Sequence, residues 1–386
     1  MSYQKNPESV NSPWDASRSG YLGCAWHEKI GPVSLKKLQN YFGQNGGQNA
    51  WRASEDEMIS AGLRPDIIKD FFIWRKNQDL ETFKQKIFES DIDFILPWDK
   101  TYPAIFNQSS APPAALFWRG PALDIRPWIA LVGTRKMSPY GERVTKTLVQ
   151  DLVKSGAGIV SGMALGVDGQ AHKSCIEAGG HTVAVLGSGL DKNSIYPQAH
   201  SSLAEQILLS QGTIISEYPP NTPGLKHHFP QRNRLIAALC QATVVIEAGK
   251  DSGSVITAKY ALEENRDVYA VPGSIFSAGS EGTNELISQG ASICTQASDI
   301  LKKEPNHQQP ASINRNLTPD EKKILDLCRT ATHIDDIARL CDLPSSFVIS
   351  TCVNLELLGA LDQANVNQYQ CTQIGKSLLL DQNQNI

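Results

Sequence analysis

Between Trp128 and Lys303 the chain alternates short β-branched runs with amphipathic segments. Strands separated by helical crossovers close their hydrogen bonds as a mainly parallel sheet layered with helices, so this alternation predicts an α/β fold. The candidate strands are Ile129–Val132, Gly158–Ser161, Thr182–Leu186, Thr213–Ser216, Thr243–Ile246, Asp267–Val271 and Ser292–Cys294. Helix starts are visible between them, as at Ser138-Pro139, where serine caps and proline takes the first helical position. Such connections bring the loops that follow the strand carboxyl ends onto one rim, where open α/β sheets bind ligands.

The flanks read differently. Residues 1–20 are polar and interrupted by Pro7 and Pro13, which predicts a flexible tail. From 21 to 90 the apolar spacing is helical (Leu35, Leu38 and Phe42, then Met58, Leu63, Ile67, Ile68 and Phe71), which predicts a small helical domain. The α/β domain is expected over 91–303, entered through an aromatic and proline-rich stretch, with a polar linker at 304–317. Over 318–386, Thr318-Pro319-Asp320-Glu321 forms a capping box. Further helices at Asp335–Cys341 and Ser346–Leu358 and strands around Ala360–Thr372 make the pattern winged-helix-like.

Thirty-six Lys and Arg against 40 Asp and Glu give a net charge of −4, which excludes an overall polybasic coat, so any polyanion site is local. The eight cysteines are scattered singly, without C-x-x-C or zinc spacing, and read as reduced small hydrophobes. No run approaches the ~18 apolar residues of a membrane helix and the first residues lack a signal-peptide core, so a cytoplasmic protein without membrane insertion is expected.

Four small-residue loops follow predicted strands or open a helix: Gly133-Thr134-Arg135-Lys136, Ser161–Gly166, Leu186–Asp191 (containing Gly187 and Gly189), and Ser252-Gly253-Ser254. On one rim they form an anion cradle, with Arg135 placed to fork onto phosphate. Gly187-Ser188-Gly189 is not a dinucleotide fingerprint, because Lys192 stands where the third glycine belongs. Gly375-Lys376-Ser377 is not a Walker loop, because Gln370 replaces the leading glycine. The segment Lys226-His227-His228-Phe229-Pro230-Gln231-Arg232-Asn233-Arg234 contains three fixed positive charges, amide and imidazole donors and an aromatic ring. That combination neutralises phosphates and stacks a base. Asp168 and His172 at i,i+4, with Glu217, Glu247 and Asp251 at strand ends, carry no nucleophile or metal triad. No catalytic residue, metal or cofactor is expected.

The ordered motifs Val132-Gly133-Thr134-Arg135, Ser161–Asp168, Ala184–Asp191 with Tyr196-Pro197, Ser216–Pro219, Phe229–Arg234, Ser252-Gly253-Ser254 and Val271-Pro272-Gly273 resemble the DNA-processing protein A (DprA/Smf) family. The resemblance implies an extended Rossmann-like domain with a mainly parallel sheet. The flanks are compatible with the family's helical N-terminal module and winged-helix-like C-terminal module. It further implies a homodimer that is not an enzyme, binds single-stranded DNA without sequence preference and loads the RecA recombinase during natural transformation. Carried over by position, Arg135 holds phosphate, Gly162 and Ser252-Gly253-Ser254 line the pocket, Lys226 contacts the strand, and Phe229, Arg232 and Arg234 stack on and clamp it. One alternative is a nucleotide-processing enzyme of the lysine-decarboxylase-like phosphoribohydrolase group, whose P-G-G-x-G-T loop is missing at Val271-Pro272-Gly273-Ser274. The other is a transcription factor built on the last domain, although helix Ser346–Leu358 contains Glu356 and no Lys or Arg.

Overall fold

The computed structural model describes residues 14–301, 317–358, 360–365 and 367–372, with Gly375 and Leu379. The expected linker lies outside these residues apart from Leu317. The chain divides into two compact units at 302/303.

The first unit opens with six helices: α1 Ala16–Trp26, α2 Pro32–Phe42, α3 Gly47–Arg52, α4 Glu55–Ser60, α5 Pro65–Arg75 and α6 Leu80–Glu89. Strands β1 Asp93–Ile95 and β2 Leu116–Arg119 follow. The alternating region then runs β3 Trp128–Val132, α7 Pro139–Lys154, β4 Gly158–Ser161, α8 Val167–Glu177, β5 Thr182–Leu186, α9 Ser201–Leu209 and β6 Thr213–Ser216. It continues through α10 His228–Leu239, β7 Ala242–Val245, α11 Gly253–Glu263, β8 Asp267–Ala270, α12 Glu281–Ser288, β9 Ser292–Ile293 and α13 Ala297–Ile300. All seven predicted strands form, with ends differing by at most one residue.

Together with β1 and β2 they make a nine-stranded sheet in the order β1-β2-β6-β5-β4-β3-β7-β8-β9. The β1–β2 and β2–β6 pairs are antiparallel and the rest parallel. Side chains of β3 alternate between two cores. Trp128, Ala130 and Val132 face α10 and α11, while Ile129 and Leu131 face α7 and α8. The chain moves outward from β3 to β6 and returns through α10 to β7 on the other flank of β3. This reversal opens a crevice at the carboxyl ends of β3 and β7, where doubly wound sheets bind ligands.

The expected tail is corrected at its end. Helix α1 begins at Ala16, capped by the Asp15 carboxylate on the Arg18 amide, and its first turns are buried. The Arg18 guanidinium forks onto Asp99, with Nη1–Oδ2 and Nη2–Oδ1 distances of 2.8 and 2.6 Å, and Nη1 also donates to the Phe94 carbonyl. Nor is the expected boundary at 90/91 a break in packing. Tyr21, Leu22, Phe71 and Ile87 share one hydrophobic cluster with Phe94, Phe117, Ala184 and Ile214 of the sheet.

The second unit contains α14 Pro319–Leu327, β10 Thr332–His333, α15 Ile334–Cys341, α16 Ser345–Leu357, β11 Leu361–Asn365 and β12 Gln368–Cys371. The strands form an antiparallel sheet in the order β10-β12-β11, giving the expected winged helix. The capping box closes as predicted. Thr318 Oγ1 accepts from the Glu321 amide at 3.2 Å, and the Glu321 carboxylate accepts from the Thr318 amide at 2.8 Å.

Truncating Arg18 leaves the buried Asp99 carboxylate without its counter-charge, a defect worth about 3–5 kcal/mol. Arg18→Met is therefore expected to lower the unfolding free energy by about that amount in urea denaturation followed by tryptophan fluorescence. A loss below about 1 kcal/mol would return this segment to the role of a tail.

Candidate nucleic-acid interface

At the end of β3, the Thr134 amide donates to the Glu247 carbonyl at 2.7 Å, and the Thr134 hydroxyl accepts from the Lys136 amide at 3.2 Å. Thr134 thus shapes the loop and Arg135 projects into solvent. The following helix, α7, has an N-terminus that is already occupied. Glu247 accepts from the Ser138 amide at 2.9 Å and the Ser138 hydroxyl at 2.5 Å, and Ser138 Oγ accepts from the Gly141 amide.

The loop after β4 is also stabilised internally. Asp168 Oδ2 accepts from the amides of Gly162 and Ala164 at 3.2 and 3.3 Å. Burial raises the Asp168 pKa, opposed by the Arg232 charge and by these amides. Gly166 sits at φ 78°, and a β-carbon there would lie 2.3 Å from the Thr134 carbonyl oxygen. The loop after β5 lies behind the rim. Gly187 offers its carbonyl to the His228 ring and sits beneath Phe229, and the Gly189 amide donates to the Thr222 carbonyl at 2.8 Å.

Helix α10 sorts the basic segment. Arg232 is 5% exposed, and its Nη1 donates to the carbonyls of Gly162 and Val185, joining the ends of β4 and β5 to the helix. A β-carbon at Gly162 would meet that guanidinium at 2.5 Å. Burial lowers the Arg232 pKa to about 10, so it remains charged at neutral pH. Arg234 turns away from the rim, clasping both oxygens of buried Glu217 at 2.5 Å and the Ala111 carbonyl. Asn233 Nδ2 donates to the Gly253 carbonyl at 3.3 Å, linking α10 to the start of α11.

What remains open is a cleft of about 680 Å³ at the crevice. Its cations are Arg135 and Lys226 at the surface and Arg232 in the floor. Its aromatic wall is Phe229, with Tyr196 at 5.3 Å between ring centroids and the Arg135 guanidinium 5.6 Å from the Phe229 ring. Opposite stands the N-terminus of α11, where Ser252 Oγ accepts from the Ser254 amide and the space beside Gly253 is empty. Thus Gly133, Arg135, Lys226, Phe229, Arg232, Asn233 and the Ser252-Gly253-Ser254 turn converge, and Gly162 borders a small recess beside them. Thr134, Gly187, Gly189 and Arg234 do not line the cleft. The expectation that Arg234 clamps a strand is corrected by its pairing with Glu217, and Arg232 holds the floor by backbone bonds.

Sequence reasoning gave no binding role to Tyr196, Gly224 or Ile256, which the fold delivers to the cleft from three separate segments. For Tyr196 and Ile256 the available signal was an aromatic or apolar side chain among small polar residues, and Gly224 offered none. Asp168 and His172 do not pair. His172 Nδ1 lies 2.7 Å from the Thr182 hydroxyl, and Thr182 donates its own proton to the Ile159 carbonyl, so Nδ1 carries a hydrogen. Among the described residues no three His, Cys, Asp or Glu side chains gather as a metal site, and no helix is long and apolar enough to cross a membrane.

The family model described as DNA recombination-mediator protein A matches residues 93–305, more than half the chain. The chain belongs to the DprA/Smf family. The DprA winged helix domain matches residues 308–365. Among DprA/Smf relatives, the chain is 37% identical to Protein Smf of Synechocystis over 294 residues, covering 74% of this chain and 72% of the relative. It is 42% identical to the DNA processing protein DprA of Streptococcus pneumoniae over 205 residues, 53% of this chain and 71% of that one. The X-ray structure of the Streptococcus pneumoniae DprA superposes with a TM-score of 0.62 at 31% identity, covering 75% of this chain and 98% of that chain. The DprA match includes every strand of the large sheet and every cleft residue named above, whereas α1–α6 precede it.

Behind the rim, burial and then the nearby His200 and Arg232 push the His172 pKa down to about 3. The unfolded chain protonates this ring near pH 6.5, so its contribution to stability is intact above that pH and falls by about 1.4 kcal/mol per unit below it. Between pH 6.5 and 5.0 the wild type is expected to lose about 2 kcal/mol more unfolding free energy than His172→Asn. Parallel pH profiles in urea denaturation would show that the ring takes up its proton in the folded state.

Proposed function

We propose that this chain binds single-stranded DNA in the cleft without base-sequence preference and acts in recombination as a mediator that loads a RecA-type recombinase, with no catalytic step. The observation that carries the DNA reading is the half-buried Phe229 ring beside exposed Tyr196, with two exposed cations and an open helix N-terminus around them. A base inside a duplex has both faces covered by its neighbours, so an aromatic platform of this kind selects unstacked strands. Stacking tolerates any base, because every base has a π-face. Arg135, Lys226 and the α11 amides supply charge for successive phosphates.

The recombination role is supported by the family model's description as a DNA recombination-mediator protein, whereas the RecA partner rests on the family resemblance. The homodimer rests on the family resemblance. Of the carboxylates that an alternative enzyme would use, three are held internally, Glu217 by Arg234, Glu247 by Ser138 and Asp168 by backbone amides, while Asp251 is exposed. In the winged helix, α16 exposes Phe347, Ile349 and Val353, which favours a protein-contact role over duplex readout.

Fluorescence anisotropy of labelled poly-dT and matched duplex across a salt series tests the proposal. The wild type is expected to prefer the single strand. Arg135→Ala and Lys226→Ala are each expected to flatten the slope of log K against log salt by about 0.7, the value for one phosphate on a single strand. Phe229→Ala is expected to leave the slope unchanged and weaken binding by about 1–3 kcal/mol. Lys84→Ala, on α6, should change neither. Equal losses at Arg135, Lys226 and Lys84 would mean diffuse electrostatics and overturn the cleft as the site.

A further inference from the structure

Beyond Tyr196 the cleft does not close. A second trough of about 400 Å³ begins on the far side of that ring, bounded by the segments 193–198 and 221–224. Tyr196 and Gly224 belong to the walls of both spaces. Gly224 fits tightly between the aromatic rings: a β-carbon there would lie 2.9 Å from Tyr196 Cβ and Cγ and 3.2 Å from Phe229 Cζ. The partition is therefore a low lip of bare backbone topped by a 45%-exposed tyrosine ring.

The trough has the chemistry of a base compartment rather than a phosphate site. Asn193, Gln198 and Asn221 present exposed amides, each with donors and acceptors. The neighbouring Asp191 carboxylate is already committed, accepting from the Ser194 hydroxyl at 2.9 Å and from the Asn221 backbone N–H at 2.7 Å. The far wall, Asn221 and Pro223, also borders a groove of about 460 Å³, so a strand entering the trough has an exit.

We propose that a strand bound in the cleft passes over the Tyr196–Gly224 lip and places a further nucleotide in the trough edged by Asn193, Gln198 and Asn221. This rests on the single-strand reading of the cleft and extends it. Tyr196 then stacks with a base at the crossing, and the amides serve whichever base arrives, since each amide offers both a donor and an acceptor.

The test is anisotropy with labelled oligo-dT from about four to about sixteen nucleotides, the range of single-strand site sizes. Asn193→Trp fills the trough and Asn193→Asp adds a repelling charge without bulk. Asn193 is an exposed loop position, and thermal melts confirm that each variant is folded. Both variants are expected to bind the shortest competent oligomer like the wild type and to lose about tenfold or more on the longer ones, one stacked base's worth of affinity. Long strands binding the wild type and both folded variants equally would overturn the second compartment while leaving the cleft intact. Absence of binding by the wild type at every length would instead remove the single-strand reading itself.

Discussion

The rim of the large sheet depends on one buried cation. Arg232 projects from α10 beneath the strand ends and donates to the carbonyls of Gly162 and Val185, which terminate adjacent strands. An isolated charge in that position costs several kcal/mol of desolvation, and it is tolerated because carbonyl dipoles and the nearby Asp168 surround it. The planar guanidinium suits the task, since it reaches two carbonyls with one nitrogen while its Nε donates to Asn233 at 3.1 Å. Asn233 in turn bonds the Gly253 carbonyl, so Arg232 also fixes how α10 meets the start of α11. Gly162 is glycine for the same reason: the guanidinium occupies the space a side chain would need.

How much of this was legible in the sequence follows from the range of each interaction. The parallel strands were readable because β-branched runs at regular spacing report on themselves. The winged helix was readable because its capping box and turn are local. Helix α1 was not, since its opening Ala-Ser-Arg-Ser-Gly has no apolar periodicity and is held by Arg18 on Asp99, 81 residues away. The merging of the N-terminal helices with the sheet was hidden for the same reason: Leu22 and Ile214 share a core through contacts that no local pattern encodes.

The candidate site shows the same limit at the level of single charges. The segment 226–234 reads as three equivalent cations, yet the fold gives them three environments. Lys226 is exposed, Arg232 supports the backbone beneath it, and Arg234 neutralises Glu217. Which cation faces the cleft is decided by partners 17 to 123 residues away in sequence. Composition and spacing identify the neighbourhood of a polyanion site, while tertiary pairing decides its working charge.

A similar selection operates on the helix N-termini. Two helices begin at the crevice with a capping serine, α7 after Ser138 and α11 after Ser252. The positive end of a helix attracts an anion wherever one can reach it. At α7 the anion is internal: the Glu247 carboxylate holds both the amide and the hydroxyl of Ser138, and Gly141 leaves no room for another group. At α11 no side-chain carboxylate plays that part, and Gly253 keeps the approach clear. One end is closed by the protein's own charge and the other stays open opposite Phe229. The open N-terminus, suited to a phosphate, and the aromatic ring, suited to the face of a base, thus line the same cleft.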